Sequence, residues 1–371
     1  MSRIDNANEV AMRKVIQRIA TGPELSKDLS VEQAEEAMQL VLNQQVDPVQ
    51  AAIFLIALRM KRETDDENIG VLQAIRQSTR RCVVEADEVV DLFDPYNGYI
   101  RSAPMSPFIP AVLAACGLAC FSHGVERAGP KYGVTHEEIL IAAGIDVAMS
   151  PEGAALNLAK ADRGWAYLSQ TQFCSQLADL SALRHKMVKR SVLTTVEGLA
   201  GALVGRKQTH LVTGYVHKAY PPIYLGLAKA VGYDSAMALR GVEGGVVPTL
   251  RQPAKVHQLL AGQSTQFEMA PADFGIQQEQ RAVSLPAQFD GVEGVDMSTE
   301  QRQDLAHSVL EIGLQALSGE QGAARDALVY GAALILWHCQ KATDYKDAAD
   351  QVAKAIDSGT ALSYFSALQH G

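Results

Sequence analysis

The chain has 371 residues, 47% of them hydrophobic and 20% charged, with a formal net charge of -9. Those values support one large or two medium cores and exclude a mostly disordered chain. No window reaches about 18 uncharged apolar residues, and Met1–Val10 carries Asp5 and Glu9 without an apolar run, so neither a membrane span nor a signal peptide is expected. The cytoplasm is the expected location.

Roughly the first 82 residues show helical patterning only. Ser30 and Gln33 form a capping box ahead of an amphipathic stretch to Leu42, Asp47-Pro48 starts a second helix, and Asp65 to Arg81 continues the pattern. From Val89 the texture changes to short β-type runs, at Val89 to Asp94, Leu118 to Ser122, Ile145 to Met149, His210 to Tyr215 and Ala236 to Arg240, separated by helical segments such as Pro107 to Cys116 and Thr135 to Ala143. That alternation predicts a parallel α/β layer. Helical texture returns between Ser175 and Val204, so the helical unit is expected to be discontinuous, 1–86 plus about 172–206. The α/β unit is then 87–171 plus 207–371, with a helical tail from Ser298. Cys82, Cys116, Cys120, Cys174 and Cys339 read as buried free thiols, and Cys116 and Cys120 lack the further ligands of a zinc site.

Several strand-end loops are candidates for chemistry. Asp94-Pro95-Tyr96-Asn97-Gly98 follows a strand and precedes a helix, where α/β folds bind ligands, although its neighbouring prolines remove N–H donors that a phosphate cradle uses. It reads either as a phosphate loop or as a structured turn beside a remnant pocket. His123-Gly124 follows the next strand, and Lys131 precedes a helix start capped by Thr135 with Glu138. His123 is either an anion contact or a satisfied histidine in a turn. Gly241-Val242-Glu243-Gly244 follows the Ala236 to Arg240 run, and its single acid offers no carboxylate pair for magnesium.

The stretch from Arg184 to Lys218 holds seven Lys/Arg against one acid, Glu197, in an otherwise acidic chain. Treated as one helix, Arg184 to Arg190 places Lys186, Lys189 and Arg190 within a single arc, with Arg184 turned inward among Leu180, Leu183, Met187 and Val188. Arg206, Lys207 and Lys218 extend the charge. Such a face suits an anionic partner, either nucleic acid or a phosphorylated small molecule, or is simply solvated.

Taken together, Ser122-His123-Gly124, the Arg184 to Arg190 segment and Arg240-Gly241-Val242-Glu243-Gly244 resemble the anthranilate phosphoribosyltransferase family, over about Val10 to Ala353. The resemblance implies an α/β fold with a small all-helical domain and a larger α/β domain whose central sheet is mainly parallel, and a homodimer formed through the helical domain. It places the family's glycine-rich phosphate loop on Asp94 to Gly98, leaving Asn97 and Gly98, and the following helix start on Pro104 to Pro107, leaving Ser106. His123 and Gly124 keep part of another motif, Arg184 falls on the arginine that faces anthranilate, and the magnesium-binding Asp-Glu pair falls on Val246-Val247.

The cleft is therefore expected to be degenerate, with Asn97, Gly98, Ser106, His123, Gly124, Lys131, Arg184 and Glu243 as its remnants, no confident catalytic residue and no metal ligand. Divergent members of the family bind DNA or RNA through basic helices. The resemblance accordingly implies nonspecific nucleic-acid binding through Lys186, Lys189, Arg190, Arg206 and Lys207, with no cofactor. The alternative is a pentosyltransferase of altered specificity acting on a phosphorylated small molecule, and only that reading calls for magnesium.

Overall fold

The computed structural model describes residues 6–22 and 24–369, so the outermost residues of the expected helical and α/β units lie outside the described residues. Four helices open the chain, α1 (Ala7–Ile19), α2 (Val31–Leu42), α3 (Pro48–Lys61) and α4 (Asp65–Gln77). Side-chain caps start them all. Ser30 and Thr64 each form a capping box, and Asp47 caps a helix that opens on Pro48, whose missing N–H is one no helix would have used. Each helix then buries one face, for example Met38, Val41, Phe54, Leu58 and Val71.

The strands are β1 (Cys82–Val83), β2 (Glu88–Phe93), β3 (Ala119–Gly124), β4 (Trp165–Ser169), β5 (Leu203–Val204), β6 (Gln208–Gly214), β7 (Ser235–Leu239), β8 (Ala254–Leu260) and β9 (Gln263–Met269). Seven of them form one sheet in the order β4-β3-β2-β6-β7-β8-β9, parallel from β4 to β7 and antiparallel at β8 and β9. A two-residue parallel ladder, β1 with β5, ties the amino-terminal helices to the later helical segments. The remaining helices are α5 (Ile109–Ala115), α6 (His136–Ala142), α7 (Pro151–Leu158), α8 (Gln170–Phe173), α9 (Ser175–Ala178), α10 (Ser181–Met187), α11 (Leu193–Val196), α12 (Tyr220–Ala230), α13 (Thr299–Leu317), α14 (Ala323–His338), α15 (Tyr345–Asp357) and α16 (Thr360–Ser366).

The parallel strands are covered on both faces, which is why they read as apolar runs rather than as alternating patterns. Val90 and Leu92 of β2 face a core built with α5 and α13 to α16, whereas Val89 and Phe93 face one shared with α2 to α4 and α12. The architecture is thus a small helical unit joined to a larger α/β unit with a mostly parallel sheet.

Two expectations are corrected. Ile145 to Met149 is a turn, not a strand. Gly144 takes a positive φ, Asp146 accepts the Ala148 N–H, and Ser150 already caps α7. The strand beside β3 is instead Trp165–Ser169, and the β8–β9 hairpin extends the sheet beyond the last anticipated strand.

Candidate functional site

The carboxyl ends of β2 and β6 open into a cleft roofed by α3 and by the segment from α10 to α11, the position where open α/β sheets bind ligands. Its inner chamber has a volume of about 130 Å³. An aromatic wall forms one side. Phe93 meets Tyr96 edge-on at 5.5 Å between ring centroids and Tyr224 at 6.5 Å, and Tyr220 lies 5.8 Å from Tyr224. Thr194, Thr195, Thr213 and Asn97 add polar groups. An outer chamber of about 280 Å³ continues past Arg184, Arg190 and Thr194 to Tyr132, His185 and Lys189.

The cleft's cations differ in what they have left to offer. Arg59 reaches Glu63 at 3.0 Å and also donates to the Tyr220 and Thr195 hydroxyls and the Ser191 carbonyl. Arg184 points inward as its helical position predicts, but both its terminal nitrogens bind Glu197, at 2.6 and 2.7 Å, within a nearly buried pair. Lys131 pairs with Glu243 at 2.5 Å. Burial pushes the Lys131 ammonium below its ordinary range against the pull of Glu243. Burial would also raise the Glu243 carboxyl, yet Lys131 and the Ile100 and Arg101 amides hold it low. Arg190, by contrast, has no ion-pair partner among the described residues and stands at the junction of the two chambers.

That placement corrects the expected basic face. The helix ends at Met187 because Val188 turns into the left-handed region at φ 61°, so Lys189 and Arg190 leave the helical wheel. Arg190 lines both chambers and Lys189 the outer one, and both are exposed, as Lys186 is. Arg206 and Lys207 precede β6, at the opposite end of a seven-residue strand about 23 Å long. Both are bound there to Asp87 at 2.6 Å, with Glu85 also near Arg206. The five basic residues do not share one surface.

The expected phosphate contacts are also rearranged. His123 is buried rather than turned to the cleft. Its Nε2 lies 2.7 Å from Asp91 and its Nδ1 2.5 Å from the Tyr96 hydroxyl, while the Tyr233 hydroxyl donates to the second Asp91 oxygen. Gly124 lies against Tyr167 and Tyr96. Gly98 takes φ 68° and packs so closely on Gly133 that a side chain there would collide with backbone. Asn97 keeps its place on the cleft wall. Ser106 is fully buried and donates to Asp94 at 2.8 Å.

Sequence reasoning missed Asp94 itself, together with Tyr99, His136, Arg59 and the Tyr220–Tyr224 wall. Asp94 accepts from Tyr99 at 2.7 Å, Ser106 at 2.8 Å, His136 at 2.9 Å and the Val246 amide at 2.9 Å. Burial would raise its carboxyl, but the neighbouring His136 charge and the hydrogen bonds outweigh that and hold it low. These residues come from four separate segments, so no spacing in the chain could reveal them. The one signal available was that His136 opens a helix with a recognisable Thr135 cap.

Comparison with known proteins agrees with this architecture. Residues 13–79 match the helical bundle domain of the glycosyl transferase family, and residues 104–362 match its α/β domain. An anthranilate phosphoribosyltransferase from Solibacter usitatus is 28% identical over 348 residues, 92% of this chain and 94% of that protein. One from Brevibacillus brevis is 25% identical, over 93% of this chain and 94% of the relative. Among solved structures, the Thermus thermophilus anthranilate phosphoribosyltransferase superposes with a TM-score of 0.74 at 19% identity, covering 97% of this chain and 99% of its own. The Saccharomyces cerevisiae enzyme in complex with PRPP and Mg gives 0.73 at 16% identity, covering 98% and 99%. The family match spans most of the chain, in both the helical bundle and the sheet that frames the cleft, and the chain belongs to the glycosyl transferase family.

Proposed function

We propose that this chain binds a phosphorylated sugar derivative in the cleft and acts as a glycosyl transferase of altered specificity, without a divalent metal. The observation that carries the reading is Arg190. The charges of Arg59, Arg184 and Lys131 are each met by a carboxylate, whereas Arg190 faces both chambers with none among the described residues. A cation placed there beside a wall of Phe93, Tyr220 and Tyr224 suits a ligand with one anionic end and one ring. Glycosyl transfer breaks the bond between the anomeric carbon and the leaving oxygen, which departs with the electron pair, as the acceptor's nucleophilic atom bonds to that carbon. A guanidinium beside the leaving oxygen stabilises that developing charge.

The magnesium that the family's chemistry implies does not fit the residues present. Val246, on one of the two positions of the family's metal pair, is a fully buried apolar side chain whose amide is already given to Asp94. Asp94, Glu197 and Glu243 are all saturated by donors, and among the described residues no group of three or more His, Cys, Asp or Glu could hold a metal. Hard divalent cations need free carboxylate oxygens, so the reading takes no step through one.

Titration calorimetry with ribose 5-phosphate and with phosphoribosyl pyrophosphate, each in magnesium and in EDTA, tests this. Binding should not depend on magnesium, and R190E should weaken it at least about 10-fold, as the loss of a charge-assisted contact requires. No heat at millimolar ligand, or binding that needs magnesium, contradicts it. The exposed pair Lys186 and Lys189 supports the nucleic-acid reading only weakly, because Arg206 and Lys207 are neutralised elsewhere. A gel shift at low salt that K186E with K189E abolishes would restore it.

A further inference from the structure

The loop after β2 holds a buried carboxylate met by four donors. The Asp94 residue is 3% exposed, and its two oxygens take the Val246 amide on one side and Tyr99, Ser106 and His136 on the other. Four donors converging on one buried oxyanion make a site of the kind that proteins build for phosphate or carboxylate ligands. Here the anion is supplied by the chain. Two further features show that the donors are arranged around the anion and not merely near it. Ser106 and His136, both bound to Asp94, also lie 2.9 Å from each other, and Tyr99 fills the space where any side chain at Gly245 would stand. His136 also keeps a buried Nδ1 with no hydrogen-bond partner among the described residues, so its ring hydrogen bonds there run toward this pocket.

We propose that Asp94 is a tethered anion filling an oxyanion pocket made by Tyr99, Ser106, His136 and the Val246 amide, and that the pocket takes a free small oxyanion once the Asp94 carboxylate is removed. In the native chain the pocket is closed to solutes, so the diphosphate end of a donor has no place there, and a ligand's anion must be met at the outer cations. The proposal goes beyond the reading above and stands whether or not the cleft binds a sugar phosphate, since it concerns a different set of residues.

The test compares wild type with Asp94→Ala and Asp94→Gly by thermal unfolding in sodium formate, with sodium chloride at equal ionic strength as control. The variants should melt lower than wild type and recover saturably in formate, by about 3 °C at 100 mM for millimolar affinity. Wild type should not respond, and adding Ser106→Ala to Asp94→Ala should remove most of the recovery. Equal responses in wild type and variant, or no formate response in a folded variant, overturn the proposal. Should neither variant fold, the wild-type protein still decides. Its His136 ring resonances should not move when pyrophosphate and magnesium are added, and saturable sub-millimolar shifts there would show that the pocket admits an outside anion.

Discussion

Glu243 occupies a strained position, at φ 52°, and is held there by what it binds. It accepts the Ile100 amide at 3.2 Å, the Arg101 amide and the Ser102 hydroxyl each at 2.9 Å, and pairs with Lys131. Removing it strands all four donors, whereas removing Lys131 leaves Glu243 with three. Glu243→Ala should therefore cost about 1–2 kcal/mol more than Lys131→Ala, because unsatisfied groups set the penalty. Urea denaturation of both variants checks the order, and equal losses would mean the ion pair alone matters. From the sequence, Lys131 and Glu243 were visible as separate candidates. Their union was not, since 112 positions of chain separate them and only the sheet brings the loops together.

His338 gives the residue scale its pH dependence. It is fully buried, accepting from Gln258 at Nδ1 and lying 2.9 Å from Ser235 at Nε2, and burial, aided by His210, pushes its pKa down to about 3. A histidine depressed on folding favours the neutral form. Its stability contribution is complete above the ordinary value of 6.5 and is lost as pH falls from there toward 3, with a slope of at most about 1.4 kcal/mol per unit. Glu137 works in the opposite sense. Burial, against hydrogen bonds from Tyr167 and Ser169, raises it to about 7, so its contribution falls as pH rises from 4.5 to 7. Comparing wild type with His338→Gln isolates the first effect. The variant's urea midpoint should fall less steeply between pH 6.5 and 4, and identical slopes would contradict the assignment.

At the scale of elements, the end of α10 decides which cations reach the cleft. A β-branched residue in the left-handed region is costly, and Val188, 64% exposed, gains little packing in return. Val188→Gly should stabilise by about 1 kcal/mol, seen as a rise of roughly 1 °C in Tm, because relief of strain exceeds the lost contacts. A fall in Tm would mean that Val188 packs in a way the exposed side chain does not show. This turn was illegible because valine gives no helix-stop signal, so the basic run read as one continuous helix. The capped helices α2, α3 and α6 were legible, since Ser30, Asp47 and Thr135 start them by local chemistry. Strand β4 was not, because Trp165–Ser169 is short and runs directly into α8.

At the scale of the whole molecule, the expected homodimer calls for an apolar surface on the helical unit. Val49, Ile53 and Met60 lie on one side of α3 at helical spacing and are 65%, 38% and 76% exposed, which supports self-association through that side. If it forms there, Ile53→Glu with Met60→Glu should shift sedimentation from dimer to monomer without lowering helical content. A monomeric wild type would remove the expectation. The two-part architecture was readable in the sequence because helical and strand textures alternate in blocks. The distribution of charge was not, since Asp87 and Glu197 neutralise cations far from them in sequence or on another turn.

The proposed function rests on Arg190 as a cation of the cleft that no carboxylate meets among the described residues. The most direct measurement is the affinity of ribose 5-phosphate for wild type and for R190E, by calorimetry in EDTA. The account predicts binding to wild type that magnesium does not improve and at least about a 10-fold loss in R190E. Equal affinity of the two proteins, or binding that appears only with magnesium, would contradict it.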